Sequence, residues 1–159
     1  MRERSQDVDL FGFKITAIEG DQTKGRVGDE AEMQTVEKPH TLFFLHGLMS
    51  QGRSWRSFSL NDEISTKRDV FLLDLRNHGE SDHHKSMTYE EMATDVIRFA
   101  DQRELEKVTL IGHNIGGKTA MVAATLFPDR VAGLISLDTA PTGASSENKA
   151  KTLASIRQI

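Results

Sequence analysis

Cysteine is absent from the 159 residues, which excludes disulfides, thiol nucleophiles and thiolate metal sites together. Proline occurs at Pro39, Pro128 and Pro141 only, and each of the three sits where a patterned segment starts or stops. No apolar run approaches the roughly 20 residues that a membrane-spanning helix needs, so no transmembrane segment is expected. Neither sign of charge dominates: 20 Lys and Arg stand against 24 Asp and Glu, for a net −4. With the signs interspersed, a polyanion-binding face is not suggested, and no nucleic-acid partner is expected. Residues 1–10 lack the apolar core of a secretory signal, and Glu3, Asp7 and Asp9 argue against an uncleaved transit peptide. What is present is 37% apolar and 28% charged residues, the balance of one globular domain.

Along the chain, residues 10–19 read as a strand with Phe11, Phe13, Ile15 and Ala17 on one face. The polar stretch 20–38 reads as a surface loop, with a hairpin partner strand near Met33–Val36. Thr41–Leu45, Val70–Leu73, Val108–Ile111 and Val131–Leu137 are short and apolar throughout. Helical segments are expected at Ser54–Leu60, after Thr88, at Lys118–Phe127 and over Glu147–Ile159. Thr88-Tyr89-Glu90-Glu91 is a capping box, in which hydroxyl and carboxylate satisfy free backbone N–H groups. Wholly apolar strands separated by helices imply an α/β fold, a mostly parallel sheet with helices on both faces. Polar and glycine-rich residues follow the strands at His46-Gly47, Asp74, Gly112–Gly117 and Asp138. In such sheets that carboxyl edge is where ligands bind.

One loop supports two readings. Residues 112–119, GHNIGGKT, fit the phosphate-cradling pattern G-x-x-x-x-G-K-[ST]. Lys118 would then reach a phosphate, Thr119 would bind the metal, and Asp138 would be its acidic partner. A P-loop, however, usually follows the first strand of its sheet, and at least three strand candidates precede this one. The same residues also fit a nucleophile elbow, the strand–turn–helix G-x-S-x-G, with Asn114 at its centre where serine stands in the pattern. Asp82, His83 and His84 read as a solvated loop rather than as metal ligands, and no metal or cofactor is expected.

Four ordered motifs, FFLHGLMSQGRSW, DLRNHGES, GHNIGGKTAM and LISLDTAP, resemble the α/β-hydrolase superfamily. They are similar to its esterase branch, which includes bacterial YbfF-type esterases and the mitochondrial abhydrolase-domain proteins of the eleven type. The resemblance implies the first six strands of a hydrolase sheet over residues 1–145, with residues 146–159 starting a cap helix. It implies a mitochondrial-matrix or cytoplasmic location. It also implies an oxyanion hole from the backbone N–H groups of Leu48 and Ile115, and an elbow of Gly112, His113, Gly116 and Gly117.

Two departures from the family decide the expected function. Asn114 has no hydroxyl proton to give up and a delocalised nitrogen lone pair, so it cannot replace the serine nucleophile. The general-base histidine lies after the family's last strand, and none of His40, His46, His78, His83, His84 and His113 holds that place. Asp138 matches an acid position used in parts of the family. The expectation is therefore a catalytically silent relative that serves as a structural or binding subunit. The alternatives are a carboxylesterase or thioesterase fragment, half of a split hydrolase, or a P-loop nucleotide binder. In the family sheet Val131–Leu137 is interior. A protein partner, either a second half-chain or a large assembly, is expected to cover it.

Overall fold

The computed structural model describes residues 15–18, 40–61, 64 and 67–140. The expected hairpin partner near Met33–Val36, the helix over Glu147–Ile159 and the boundary at residue 145 lie outside the described residues. Five strands form one sheet: β1 Ile15–Ile18, β2 Thr41–Leu45, β3 Val70–Leu73, β4 Val108–His113 and β5 Val131–Leu137. Their order is β1-β3-β2-β4-β5. β1 runs antiparallel to β3, and the other four strands are parallel. The register aligns Phe44 with Leu72 and with Ile111, so the carboxyl ends of β2, β3 and β4 share one edge.

Why the central strands carry apolar residues on both faces follows from what covers them. On one face Phe43, Leu45, Leu73 and Leu110 pack against two helices, α2 Tyr89–Gln102 and α3 Ile115–Leu126. Phe43 lies 5.3 Å from Phe99 and 5.5 Å from Phe71, ring centre to ring centre. On the other face Leu42, Phe44, Val70, Leu72 and Ile111 pack against Trp55, Leu60 and Ile64. That second cover is lighter. The expected helix at Ser54–Leu60 is a 3₁₀ turn, Gly52–Trp55, followed by a single α-helical turn, α1 Arg56–Ser59.

Helix α2 starts at the expected box: Glu91 N–H donates to Thr88 Oγ1 at 3.1 Å and Thr88 N–H to Glu91 Oε2 at 2.8 Å. Helix α3 begins at Ile115, three residues before the expected Lys118, because Gly116 and Gly117 are helical rather than part of a turn. Small residues are required there for contact. A Cβ on Gly116 would collide with the carbonyl of Leu45, and one on Gly112 with the carbonyl of Gly116. Helix and sheet therefore approach backbone to backbone at the point where the chain turns.

Candidate functional site at the carboxyl edge

Asn114 stands alone between β4 and α3, with φ 53° and ψ −116°, a sparsely populated conformation for a residue with a Cβ. The surroundings hold it there. Its N–H donates to Leu137 O at 3.1 Å, and its carbonyl accepts from Lys118 N–H at 3.2 Å. Thr139 Oγ1 also lies within reach of that carbonyl, at 3.1 Å. The side chain is exposed, and its Oδ1 accepts from Ile115 N–H at 2.9 Å. Asn114 thus caps the first turn of α3 with its own amide, which fixes Oδ1 inward and leaves Nδ2 outward.

This hydrogen bond engages one of the two N–H groups that the elbow reading assigns to an oxyanion hole. The other belongs to Leu48, which is half-buried against the core. His113 and Asp138 flank the apex and come together, with Nε2 3.6 Å from Oδ2. Gly47 backs the other side of the His113 ring: a Cβ there would lie 2.7 Å from Nδ1. The candidate acid therefore faces the imidazole next to the apex. Asp138 itself has φ 48°, a strain the sequence did not announce.

The residues of the phosphate-loop reading are placed otherwise. Thr119 is fully buried and its hydroxyl donates to Ile115 O at 2.9 Å, and Lys118 Nζ sits 5.7 Å from the centre of the Tyr89 ring. A metal-binding hydroxyl needs access that Thr119 lacks. His83 and His84 are exposed, and no group of three possible metal ligands occurs among the described residues.

DLRNHGES builds walls rather than chemistry. Buried Asp74 accepts from Gly52 N–H at 2.6 Å and from Glu80 N–H at 3.0 Å, joining the loop after β2 to the loop after β3. Ser81 donates to Asp74 O at 2.7 Å. Arg76 makes a forked pair with Asp95 on α2, at 2.6 and 2.9 Å, and reaches Glu91 at 3.2 Å. The Asp95 hydrogen bond keeps the guanidinium firmly charged. Hydrogen bonds from Ser86 first, and then from Thr88, hold the Glu91 carboxyl below its usual range.

His46 is buried, and its two ring nitrogens have different partners: Nδ1 with Gly47 O at 2.7 Å, Nε2 with Leu75 N–H at 3.0 Å. A carbonyl only accepts, so Nδ1 carries the proton and Nε2 receives one. Burial pushes its pKa below the ordinary 6.5, with the Gly47 carbonyl opposing. Sequence reasoning placed His46 and Asp74 at the carboxyl edge but missed Asp74 as the clasp between two loops. The available signal was an acidic residue ending an apolar strand just before the turn formers Asn77 and Gly79.

The alpha/beta hydrolase fold family matches residues 40–156. An abhydrolase domain-containing protein of Schizosaccharomyces pombe is 37% identical over 107 residues, covering 67% of this chain and 40% of that protein. The sn-1-specific diacylglycerol lipase ABHD11 of Danio rerio is 38% identical over 101 residues, 64% of this chain and 32% of its own. Among solved structures, a marine microorganism esterase superposes with a TM-score of 0.72 at 33% identity, over 94% of this chain and 52% of that one. The chain thus spans only 32–40% of the length of these curated relatives. The four motifs, the strained apex and the match over three-quarters of the length converge: this chain belongs to the alpha/beta hydrolase fold family.

Proposed function

We propose that this chain is a catalytically silent α/β-hydrolase relative that acts as a structural or binding subunit. The observation that carries this is Asn114 at the apex. Nucleophilic acyl transfer needs a hydroxyl whose proton a base can remove, and free N–H donors for the developing oxyanion. Asn114 offers no hydroxyl, and its Oδ1 occupies the Ile115 N–H. The elbow's shape is kept and its chemistry is not. The lipase and esterase among its relatives supply the ancestry of the fold and of a carboxyl-edge ligand site. The same reading places the chain in the mitochondrial matrix or the cytosol.

A partner belongs to this proposal. Among the described residues β5 pairs with β4 on one side only, and Leu134, Ile135 and Leu137 are 40%, 49% and 41% exposed. An apolar strand with a free edge invites further pairing. Either a second half-chain or a large assembly would close it.

The test is direct. Purified chain is expected to show no turnover of 4-nitrophenyl esters or acyl thioesters above buffer, and no labelling by a fluorophosphonate. Asn114→Ser alone is expected to stay silent, because no histidine of this chain holds the base position. Stoichiometric labelling of the unmodified chain, lost in Asn114→Ala, overturns the reading. A second reading, a hydrolase half whose missing groups come from another chain, draws on the His113–Asp138 approach of 3.6 Å beside the apex. Turnover that appears in Asn114→Ser would favour it.

A further inference from the structure

The motif DLRNHGES is absorbed by no catalytic role, yet it builds one wall of a cleft that none of the elbow residues lines. The cleft is open, about 540 Å³, and runs between the loop after β2 and the loop after β3. Met49, Ser50, Gln51 and Ser54 form one wall, and Asn77, His78 and Gly79 the other. Its volume falls in the range of small-molecule sites, roughly 300–1,000 Å³.

The walls are fixed before any ligand arrives. Asp74 clasps both loops through Gly52 and Glu80, and the His46 ring lies 5.0 Å from that of His78. Three lining residues have left-handed backbone, Met49 at 58°, Asn77 at 64° and Gly79 at 55°. A Cβ on Gly79 would strike the Asp74 carboxylate. Strain of this kind persists only where the surroundings over-determine it, and it gathers at ligand clamps.

The hydrogen-bonding character of the lining selects the ligand. Among the described residues no Asp, Glu, Lys or Arg lines the cleft, so neither a compact anion nor a cation would find a counter-charge on these walls. Asn77 Oδ1 accepts from His84 N–H, which leaves its Nδ2 to donate. His78 Nδ1 bonds to Arg76 O at 3.0 Å, so the proton sits on Nδ1 and Nε2 is left as an acceptor. Ser50 and Ser54 hydroxyls share one hydrogen bond at 2.8 Å, leaving one O–H to donate. Gln51 makes no side-chain cap to the turn it precedes, so its amide can give and receive. Donors and acceptors thus stand on both walls of one cleft, with the exposed Met49 thioether as an apolar rim. Adjacent hydroxyl groups, each donor and acceptor at once, match that array.

We infer that this cleft binds the uncharged vicinal-diol part of a ligand, a sugar or a glycerol headgroup. The inference does not depend on whether Asn114 is silent, and its test reads binding rather than turnover.

Saturation-transfer NMR on the full chain, which tolerates oligomers, would use four probes: glycerol, glucose, 1-monobutyrin and glycerol 3-phosphate. Saturable transfer is expected from the neutral diols and at least tenfold weaker binding from the phosphate. Preference for 1-monobutyrin over glucose identifies a glycerolipid head as the source, and the reverse a free sugar. Gln51→Ala is expected to weaken binding roughly 3–10-fold, the loss of one neutral hydrogen bond, without moving the thermal midpoint. Ser54→Ala serves as the second variant, with the same expectation. Absence of saturable transfer from all three neutral probes overturns the inference. So does glycerol 3-phosphate binding as well as glycerol, or equal affinity in both variants and the parent chain.

Discussion

β2 and β5 are written in the same alphabet and live in different places. Thr41–Leu45 and Val131–Leu137 are both apolar runs without a charge. β2 has a hydrogen-bonded neighbour on each side and is buried at every residue, whereas among the described residues β5 has one neighbour and no residue that is fully buried. The difference is position in the sheet, not composition. A strand's hydrophobicity records what the complete structure must cover, and the described residues cover β2 completely and β5 only in part. The energetic weight of the two strands should differ accordingly.

The sharpest way to break that comparison is Phe44→Ala on β2. Phe44 is fully buried, with Trp55 and Phe58 rings 5.3 and 5.9 Å away. Truncation is expected to cost about 3–5 kcal/mol, read by chemical denaturation. A cost below about 1 kcal/mol would mean the lightly covered face does not pack as described. Next comes Asp74→Ala, at the carboxyl end of β3, which leaves the Gly52 and Glu80 N–H groups without their acceptor. A loss of about 1–3 kcal/mol is expected, with faster proteolysis in the two loops it joins.

The third test concerns the histidine that ends β2. Burial lowers the pKa of His46 below 6.5, so in the window just under 6.5 the unfolded chain binds a proton that the folded chain resists. The unfolded state then holds more protons, and stability is complete above 6.5 and falls as pH drops below it. The slope from this one group is at most about 1.4 kcal/mol per pH unit. Thermal midpoints between pH 7.5 and 5.5 should fall for the parent chain and fall less for His46→Gln. The smallest stability effect is expected at β5. Ile135→Lys, half-exposed, should change stability by no more than about 0.5 kcal/mol while reducing association measured by sedimentation. A monodisperse, cooperatively unfolding parent monomer at micromolar concentration would remove the need for a partner at that edge.

Much of this was legible in the sequence, for reasons visible residue by residue. Periodicity 2 fails in a strand covered on both faces, so the unbroken run Leu42–Leu45 announced a parallel sheet. Thr88 and Glu91 announced the start of α2 because a capping box is a local device. The start of α3 was misplaced because glycines next to each other read as a turn, while here close contact of Gly116 with Leu45 and His46, and of Gly117 with Ser136 and Thr139, demands them inside a helix. The pairing of His113 with Asp138 joins residues 25 positions apart across two strands, and no local pattern encodes such a meeting. The left-handed conformation of Met49 was likewise invisible, since nothing in its side chain asks for it.

The backbone contacts around Gly112 and Gly116 have a consequence for how related chains are told apart. A Cβ at either position is barred by main-chain atoms, and main chain does not vary with the residue at the apex. The glycines are therefore required whatever residue stands at the apex, for as long as the sheet and helix must meet. The spacing of those glycines thus reports the shape of the turn and says nothing of the side chain it carries. The informative letter is the middle one of the three between them, and at residue 114 it is Asn.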